Sequence, residues 1–533
     1  MAASRGEYSQ AVVFGQAVDM SCRFHRPEWL VDKAFACRGP PQRLGALERR
    51  LMLFGSVDEL VRSGFRPRVC VVGTGPAGIS LALRLQERKI PCLLVEAGGY
   101  EFSTASQDFY RGEVIGDRYH QLHEARLRQF GGTSGHWSGW VCPLDASDFE
   151  PRSHIPHAGW PIRSSDLAPY SLAADELLQV NASVPDRPMT QDIDYIQYRF
   201  SPPTRFGTVY RSAIVQSKAI GLLLNTPVLE LVPGKDRIES VKVSQGSSTT
   251  DIRVDQVCVC TGGIENSRLL LWSNARHAGA VVPHAAALGR YWMEHPVHVL
   301  ADVATFRGYE MQFETSTPDK WYFAPSDRAK KTYSIGGAHI WMRAHADDPN
   351  YAKELWHEAL CVAPAWSNRM LKRLGKEYHC GALVQTEFEQ FPRPENRVEL
   401  DQRKDTFGVP LARLYWKKAD SERRTAATVT RLLGEALISK DIGRLRMRNY
   451  LTDGTEWPAS DQTGGWHHMG GTRMSDSPAT GVVDKNCKVF GIDNLYVGGS
   501  SVFATGGHAS PTYNIVKLAL RLGDHLATKL GAA

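Results

Sequence analysis

The pattern of apolar and polar positions is clearest just past residue 68. Val69-Cys70-Val71-Val72 is a short run that is apolar on both faces, as a buried strand is, and it leads into Gly73-Thr74-Gly75-Pro76-Ala77-Gly78. Ile79 to Arg88 then places its apolar residues at helical spacing. Lys89-Ile90-Pro91 makes a turn, and Leu93-Leu94-Val95 forms a second strand closed by Glu96. Strand, helix and strand of these lengths predict a βαβ unit. The same signature returns at Val257-Cys258-Val259-Cys260, which runs into Thr261-Gly262-Gly263 and a helix from about Glu265 to Trp272. It returns again at Leu495-Tyr496-Val497, which meets Gly498-Gly499 and passes through a Gly-rich loop to a helix from Pro511 to about Leu530. The C-terminus is therefore expected to rejoin the first domain. Arg397-Val398-Glu399-Leu400 and Leu411-Ala412-Arg413-Leu414-Tyr415 instead alternate with period two, which predicts half-exposed antiparallel strands and a second, sheet-based domain. Trp321-Tyr322-Phe323 falls within that domain and reads as sheet core before it reads as a sugar-stacking platform. Before residue 60, Leu44, Leu47, Leu51 and Leu53 lie close to helical spacing and predict a helix packed on the domain behind it.

Composition narrows the class without naming a function. At 533 residues the chain has room for two to four domain-sized units, and 42% apolar with 23% charged residues excludes a disordered or fibrous protein. No run approaches the roughly 18 apolar residues of a membrane span, and the start lacks a basic segment followed by an apolar block, so a cytoplasmic protein is expected. A net charge of +6 spread over 63 basic and 57 acidic residues is too balanced for a nucleic-acid footprint. The ten cysteines contain no C-x-x-C pair, which predicts reduced, mostly buried thiols.

The first candidate chemistry is nucleotide binding. Gly73, Gly75 and Gly78 form a G-x-G-x-x-G set between strand and helix, and Glu96 follows Gly73 by 23 residues at the end of the next strand. Gly73 allows the tight turn, Gly75 lets a pyrophosphate approach the backbone, and Gly78 lets the helix pack on the strand. Glu96 is placed to accept from a ribose hydroxyl. This fingerprint serves NAD and FAD alike.

Four blocks bear on that choice: VVGTGPAGIS with LLVEAGG, RLRQFGGTSGHWSGWVCPLDASDFEPR, CTGGIENSRLLL, and GGWHHMGGTRM with GVVDKNCKVFGIDNLYVGGSSVFATGGHASPT. In content, order and spacing they resemble the glucose-methanol-choline (GMC) oxidoreductases, nearest the pyranose-oxidase and sugar- or polyol-oxidising branch. The resemblance runs from Val69 to the end of the chain. It implies an α/β fold with a Rossmann-like FAD-binding domain and a substrate domain on an antiparallel sheet. The FAD domain would comprise 61–150, 205–295 and 455–533, the substrate domain 151–204 and 296–454, and residues 1–60 an N-terminal extension packed on the FAD domain. By the same resemblance Gly73, Gly75, Gly78 and Glu96 hold the ADP half of FAD, and the backbone at Val228 meets adenine. Gly132, Thr133 and Ser134 lie beside the flavin, Gly262 closes the second FAD strand, and Gly498, Gly499 and Thr512 frame the pyrimidine end. His136 matches a position where some pyranose oxidases attach FAD covalently.

The implied reaction is oxidation of an alcohol on a sugar, aminosugar or polyol, with O2 or another acceptor regenerating the cofactor. Alternatives on the same scaffold are an FAD-containing lyase and a non-catalytic FAD-binding protein. An alcohol has a pKa of roughly 15.7. Ionising it fully with a histidine near 6.5 would cost on the order of 12 kcal/mol, so proton and hydride loss must be coupled by a base placed over the flavin. The family places that base at His467. His468, adjacent to it, should point the other way, and no further residues at metal-ligand spacing accompany the pair. The family's second polar partner, His or Asn, is here Ser510, which before Pro511 also reads as a helix N-cap. His508, two residues earlier on the same side of an extended segment, is the candidate to replace it as the group that contacts substrate.

Overall fold

A computed structural model describes residues 52–532, apart from 203, 247, 306–318, 345–368, 371–372, 374–381 and 459–463. Leu44, Leu47 and Leu51, on which the N-terminal helix was expected, lie outside the described residues. Leu53 stands instead in a short strand, Leu53–Phe54, that pairs in parallel with Ile220–Leu223.

That strand forms the edge of a six-stranded parallel sheet. The order is Leu53–Phe54, Ile220–Leu223, Cys92–Val95, Val69–Val72, Gln256–Val259 and Leu495–Val497. Every residue of the four middle strands is buried, which explains why they read as unbroken apolar runs: helices cover a parallel sheet on both faces. The helix Pro76–Glu87 returns the chain from one central strand to the next, and the C-terminal helix Thr512–Lys529 packs against it. Leu81 and Leu85 of the first and Leu522 and Leu526 of the second are buried, each side chain contributing about 1.5–3 kcal/mol. A forked ion pair from Arg84 to Asp524, at 2.8 Å on both arms, ties the two helices at their rim.

The second sheet is antiparallel and has eight strands among the described residues. Its order is Gly443–Met447, Val297–Thr305, Ala382–Phe388, Ala338–Ala344, Lys320–Pro325, Ile193–Phe200 and Trp140–Val141, with Arg187–Pro188 also pairing Ile193–Phe200. Helix Asp420–Ser439 covers one face, burying Ala426, Val429, Leu433 and Leu437 at helical spacing against Leu300, Ile340, Val384 and Phe388. Phe323 joins this core, as the sequence pattern suggests. The period of two then sends the alternate residues, Glu387 and its cross-strand partner His339, to the opposite face. That face meets the loop carrying Gly465 to His468: a Cβ on Gly465 would lie 3.0 Å from His467 Nδ1 and 3.3 Å from Glu387 Cδ.

The strands Arg397–Lys404 and Pro410–Trp416 are antiparallel to each other, as expected, but stand apart from the large sheet, and Pro410–Trp416 pairs instead with Gly112–Gly116 in parallel. The fold is thus α/β, a Rossmann-like parallel-sheet half joined to an antiparallel-sheet half. Among the described residues no helix is long and apolar enough to cross a membrane. The six described cysteines are free and buried, and burial raises their pKa values, to about 12 at Cys70, Cys260 and Cys487.

Candidate active site

The carboxyl ends of the central parallel strands open onto one cavity of about 420 Å³, the place where open α/β sheets bind nucleotides. Gly78 shows why its helix can start there, since a Cβ at that position would sit 2.0 Å from the Gly73 carbonyl oxygen. Gly78 itself packs behind the cavity, whereas Gly73 and Gly75 line it. Glu96 also lines it and is buried, with Oε2 accepting from Thr74 N at 3.0 Å and Thr74 Oγ1 at 2.6 Å and Oε1 accepting from Gly98 N at 2.9 Å. Burial raises its pKa despite these bonds.

Val228, at the start of the strand Val228–Pro233 of a separate three-stranded sheet, and Gly262, in the turn after Gln256–Val259, reach the same space. Gly132, Thr133, Ser134 and His136 reach it from a short helical turn, in which Ser134 Oγ donates to Gly131 O at 2.7 Å and accepts from Phe206 N at 3.0 Å. Gly499 and Thr512 complete this end. Gly498 does not line the cavity: its carbonyl accepts from Asn266 Nδ2 at 2.9 Å and braces the loop from behind.

The cradle suits FAD on its own geometry. The helices Pro76–Glu87 and Thr512–Lys529 both begin at the cavity and neither has a side-chain cap, so two sets of free amides and two positive dipole ends face one space. A ligand with a pyrophosphate near one end and an anionic reduced ring at the other matches that arrangement. A Cβ on Gly75 or on Gly262 would meet nothing within 4 Å, so the backbone is open to a ligand at both points. Two buried polar atoms in the wall, His136 Nε2 and Trp137 Nε1, have no hydrogen-bond partner.

This end corrects one expectation. Ser510 does not cap the C-terminal helix; Pro511 occupies the N-cap position, and no side chain bonds the first amides. Ser510 lines the cavity instead.

The histidine pair lies across the cavity, after Trp466, whose φ of 63° turns the chain sharply. His467 and His468 both line the cavity and face different partners. His467 Nδ1 is 2.9 Å from His295 Nδ1 and 3.5 Å from Glu387 Oε2. His468 Nε2 is 3.0 Å from the Tyr119 hydroxyl, with its ring beside Trp292.

One carboxylate organises both. Glu294 Oε1 accepts from the backbone amides of His295 and His467, each at 2.7 Å, and Oε2 accepts from the Tyr119 hydroxyl. Tyr119 has a single proton and gives it to Glu294, so its oxygen accepts from His468 Nε2–H. Burial raises Glu294 to about 7 and Glu387 to about 8, the latter with help from Glu294. Burial likewise lowers His295 to about 4 and His468 to about 3, and it holds His467 well below the usual histidine range, reinforced by His295, His339 and His468.

His508 is elsewhere. It does not line the cavity; its Nε2 lies 3.4 Å from Asp145 Oδ1 and its Nδ1 3.2 Å from the Tyr198 hydroxyl. Burial opposes its charged form, yet the Asp145 carboxylate holds its pKa above the ordinary value. His508 and Ser510, which an extended alternation would put on one side, therefore do not face one space. The expectation that no further metal-type ligands accompany the histidine pair also changes, because His295 and Glu387 bring two more donor atoms within 4.8 Å of His467. Neither residue has any motif to mark it in the sequence.

A nucleotide cradle at the ends of a parallel sheet, facing histidines held against a second sheet, suits an FAD-dependent oxidoreductase acting on alcohols. Residues 392–519 match the family described as GMC oxidoreductase. The chain is 24% identical to 2-methyl-1,2-propanediol dehydrogenase of Mycolicibacterium austroafricanum, covering 86% of this chain and 95% of that protein. Similarity to the fructose dehydrogenase large subunit of Gluconobacter japonicus is 23% identity over 51% of this chain and 47% of that one. Among solved structures, pyridoxine 4-oxidase from Mesorbium loti superposes with a TM-score of 0.51 at 16% identity, covering 86% of this chain and 99% of that one. A formate oxidase superposes at 0.52 and 15%, covering 87% and 98%.

Proposed function

We propose that the protein oxidises a CH–OH group of a small polyol, sugar or aminosugar to a carbonyl, with His467 as general base. The observation that carries this is the engagement of His467 Nδ1 by His295 while the ring lines the cavity, which leaves Nε2 for a substrate hydroxyl. In this reading segments 61–150, 205–295 and 455–533 hold the cofactor, and 151–204 and 296–454 hold the substrate. The relatives named for a diol and for fructose support the substrate class. So does Trp466, 39% exposed at the cavity, whose ring can stack on a sugar face.

FAD, when bound, supplies the two-electron acceptor for the hydrogen that leaves carbon. The chain handles the proton. For His467 Nε2 to carry a lone pair, Nδ1 must hold the ring proton and donate it to His295 Nδ1, which fixes the tautomer as a carboxylate does in a hydrolase triad. Burial keeps His467 neutral, so the lone pair is available at neutral pH and below. Ser510, on the cofactor side of the same cavity, supplies the second hydrogen bond to the reacting oxygen.

Anaerobic mixing with a panel of diols, polyols, sugars and aminosugars tests this reading. Bleaching of the flavin is expected with at least one of them. Carbonyl release without bleaching would mean a lyase, and neither would mean a binding protein.

Glu96→Ala is expected to weaken FAD retention on dialysis by roughly 10–100-fold, matching the 1.5–3 kcal/mol of a hydrogen bond to a charged group. Unchanged occupancy would remove Glu96 from the ribose contact. His136 Nε2, buried in the wall without a partner, is further proposed as the attachment point of the flavin. Acid precipitation should then leave a yellow pellet, and a yellow supernatant would rule the bond out.

Ser510→Ala is expected to slow flavin reduction by about 10²-fold, as loss of one transition-state donor does. His508→Gln should leave that rate near wild type and lower stability. Because His508 has a raised pKa, its stabilisation is present in full below the unfolded value of about 6.5 and fades as pH rises through the folded one. The stability gap between wild type and His508→Gln should therefore be wider at pH 6 than at pH 9. A rate defect confined to His508→Gln would restore it as the substrate partner.

A further inference from the structure

We propose that His295, Glu387 and His467 form a binding site for a divalent transition-metal ion of the zinc type, and that filling it removes His467 from proton transfer. The second half rests on His467 being the base; the first does not.

Three parts of the chain build the site. His295 lies just before the strand Val297–Thr305, Glu387 is in Ala382–Phe388, and His467 is in the loop that carries Gly465 to His468, with all three donor atoms within 4.8 Å of one another. The closest pairs are Nδ1 to Nδ1 at 2.9 Å and His467 Nδ1 to Glu387 Oε2 at 3.5 Å. A tetrahedral ion with bonds of about 2.0–2.2 Å spaces its donors roughly 3.3–3.5 Å apart. The His467–Glu387 pair is already at that spacing, the two imidazoles need to part by about 0.5 Å, and Glu387 must close toward His295.

A second observation points to a missing partner. Glu387 Oε2 is a buried atom with no hydrogen bond, and its nearest ring nitrogens are His467 Nδ1 at 3.5 Å and His339 Nε2 at 3.8 Å. A buried carboxyl oxygen without a donor is costly, and a cation in the space it faces would satisfy it. The support around the ligands is also in place: Glu294 Oε1 holds the backbone amides of both histidines at 2.7 Å, so the rings are presented from a fixed frame.

Two imidazoles and one carboxylate suit Zn2+, Ni2+ or Cu2+ and disfavour Mg2+, which prefers an all-oxygen shell. Three protein ligands leave one position for a water or another exchangeable ligand. The consequence for His467 follows from its tautomer. With Nδ1 bound to metal its single proton resides on Nε2, so the ring facing the substrate becomes a donor and cannot accept the hydroxyl proton.

The test uses the purified, FAD-loaded protein after chelator treatment, dialysed against micromolar Zn2+, with bound metal counted by elemental analysis. About one Zn2+ per chain is expected, with at least tenfold weaker retention in His295→Ala and in Glu387→Gln and no retention of Mg2+. Circular dichroism and flavin content verify that each variant is folded. Absence of stoichiometric Zn2+ in the wild type, or wild-type retention in either variant, overturns the site. In parallel, Zn2+ should slow anaerobic flavin reduction by at least tenfold in the wild type. Stoichiometric binding with an unchanged rate would uphold the site and overturn His467 as the base.

Discussion

His467→Ala is expected to keep its FAD and lose roughly 10²–10⁴-fold in the rate of flavin reduction, the usual contribution of a positioned acid or base. Its neighbour should matter less. His468 Nε2 is committed as a donor to Tyr119, whose own proton goes to Glu294, and burial lowers the His468 pKa to about 3. His467 has only Nδ1 engaged, by His295. Anaerobic stopped-flow spectroscopy of both variants separates them: the larger defect belongs to His467→Ala. Equal losses, or a larger loss in His468→Ala, would reverse the assignment.

The second large effect is expected at Glu294, which is fully buried. Its two oxygens accept from the amides of His295 and His467 and from the Tyr119 hydroxyl. Glu294→Ala strands three buried donors, and at about 1–3 kcal/mol each the loss of stability should reach on the order of 3 kcal/mol or more. The rate should also fall by about 10²-fold, because the clamp that places His467 over the cofactor is gone and misplacement by about 1 Å can cost that much. Glu294→Gln keeps the size and one carbonyl acceptor and should recover part of both losses. Thermal unfolding and flavin reduction measured on the two variants check this. Wild-type stability and rate in Glu294→Ala would show that the clamp positions nothing.

Much of the cofactor cradle was legible because it is local. The strand Val69–Val72, the Gly73 to Gly78 turn and the helix that follows are contiguous, and a period of 3.6 or an unbroken apolar run betrays each element within a dozen residues. Glu96 was legible for the same reason, since a βαβ unit brings the end of its second strand beside the first turn. Leu53 was misjudged because a two-residue strand has too little pattern to compete with the helical spacing of the leucines before it.

The sequence by itself determined the parallel sheet, its glycine turn, the C-terminal helix and the presence of a histidine pair, all carried by residues close together in the chain. Only the tertiary structure decided which chemistry surrounds that pair. His295 and His467 are 172 residues apart, and Glu387 reaches them because the pleat of Ala382–Phe388 turns alternate side chains away from the helix that covers the sheet. Ser510 lines the cavity and His508 does not, although only Ala509 stands between them, because packing of the whole chain selects the backbone path there. Periodicity specifies which face of an element is buried. It carries no information on which distant element will meet that face, because the meeting is settled by the packing of the whole chain.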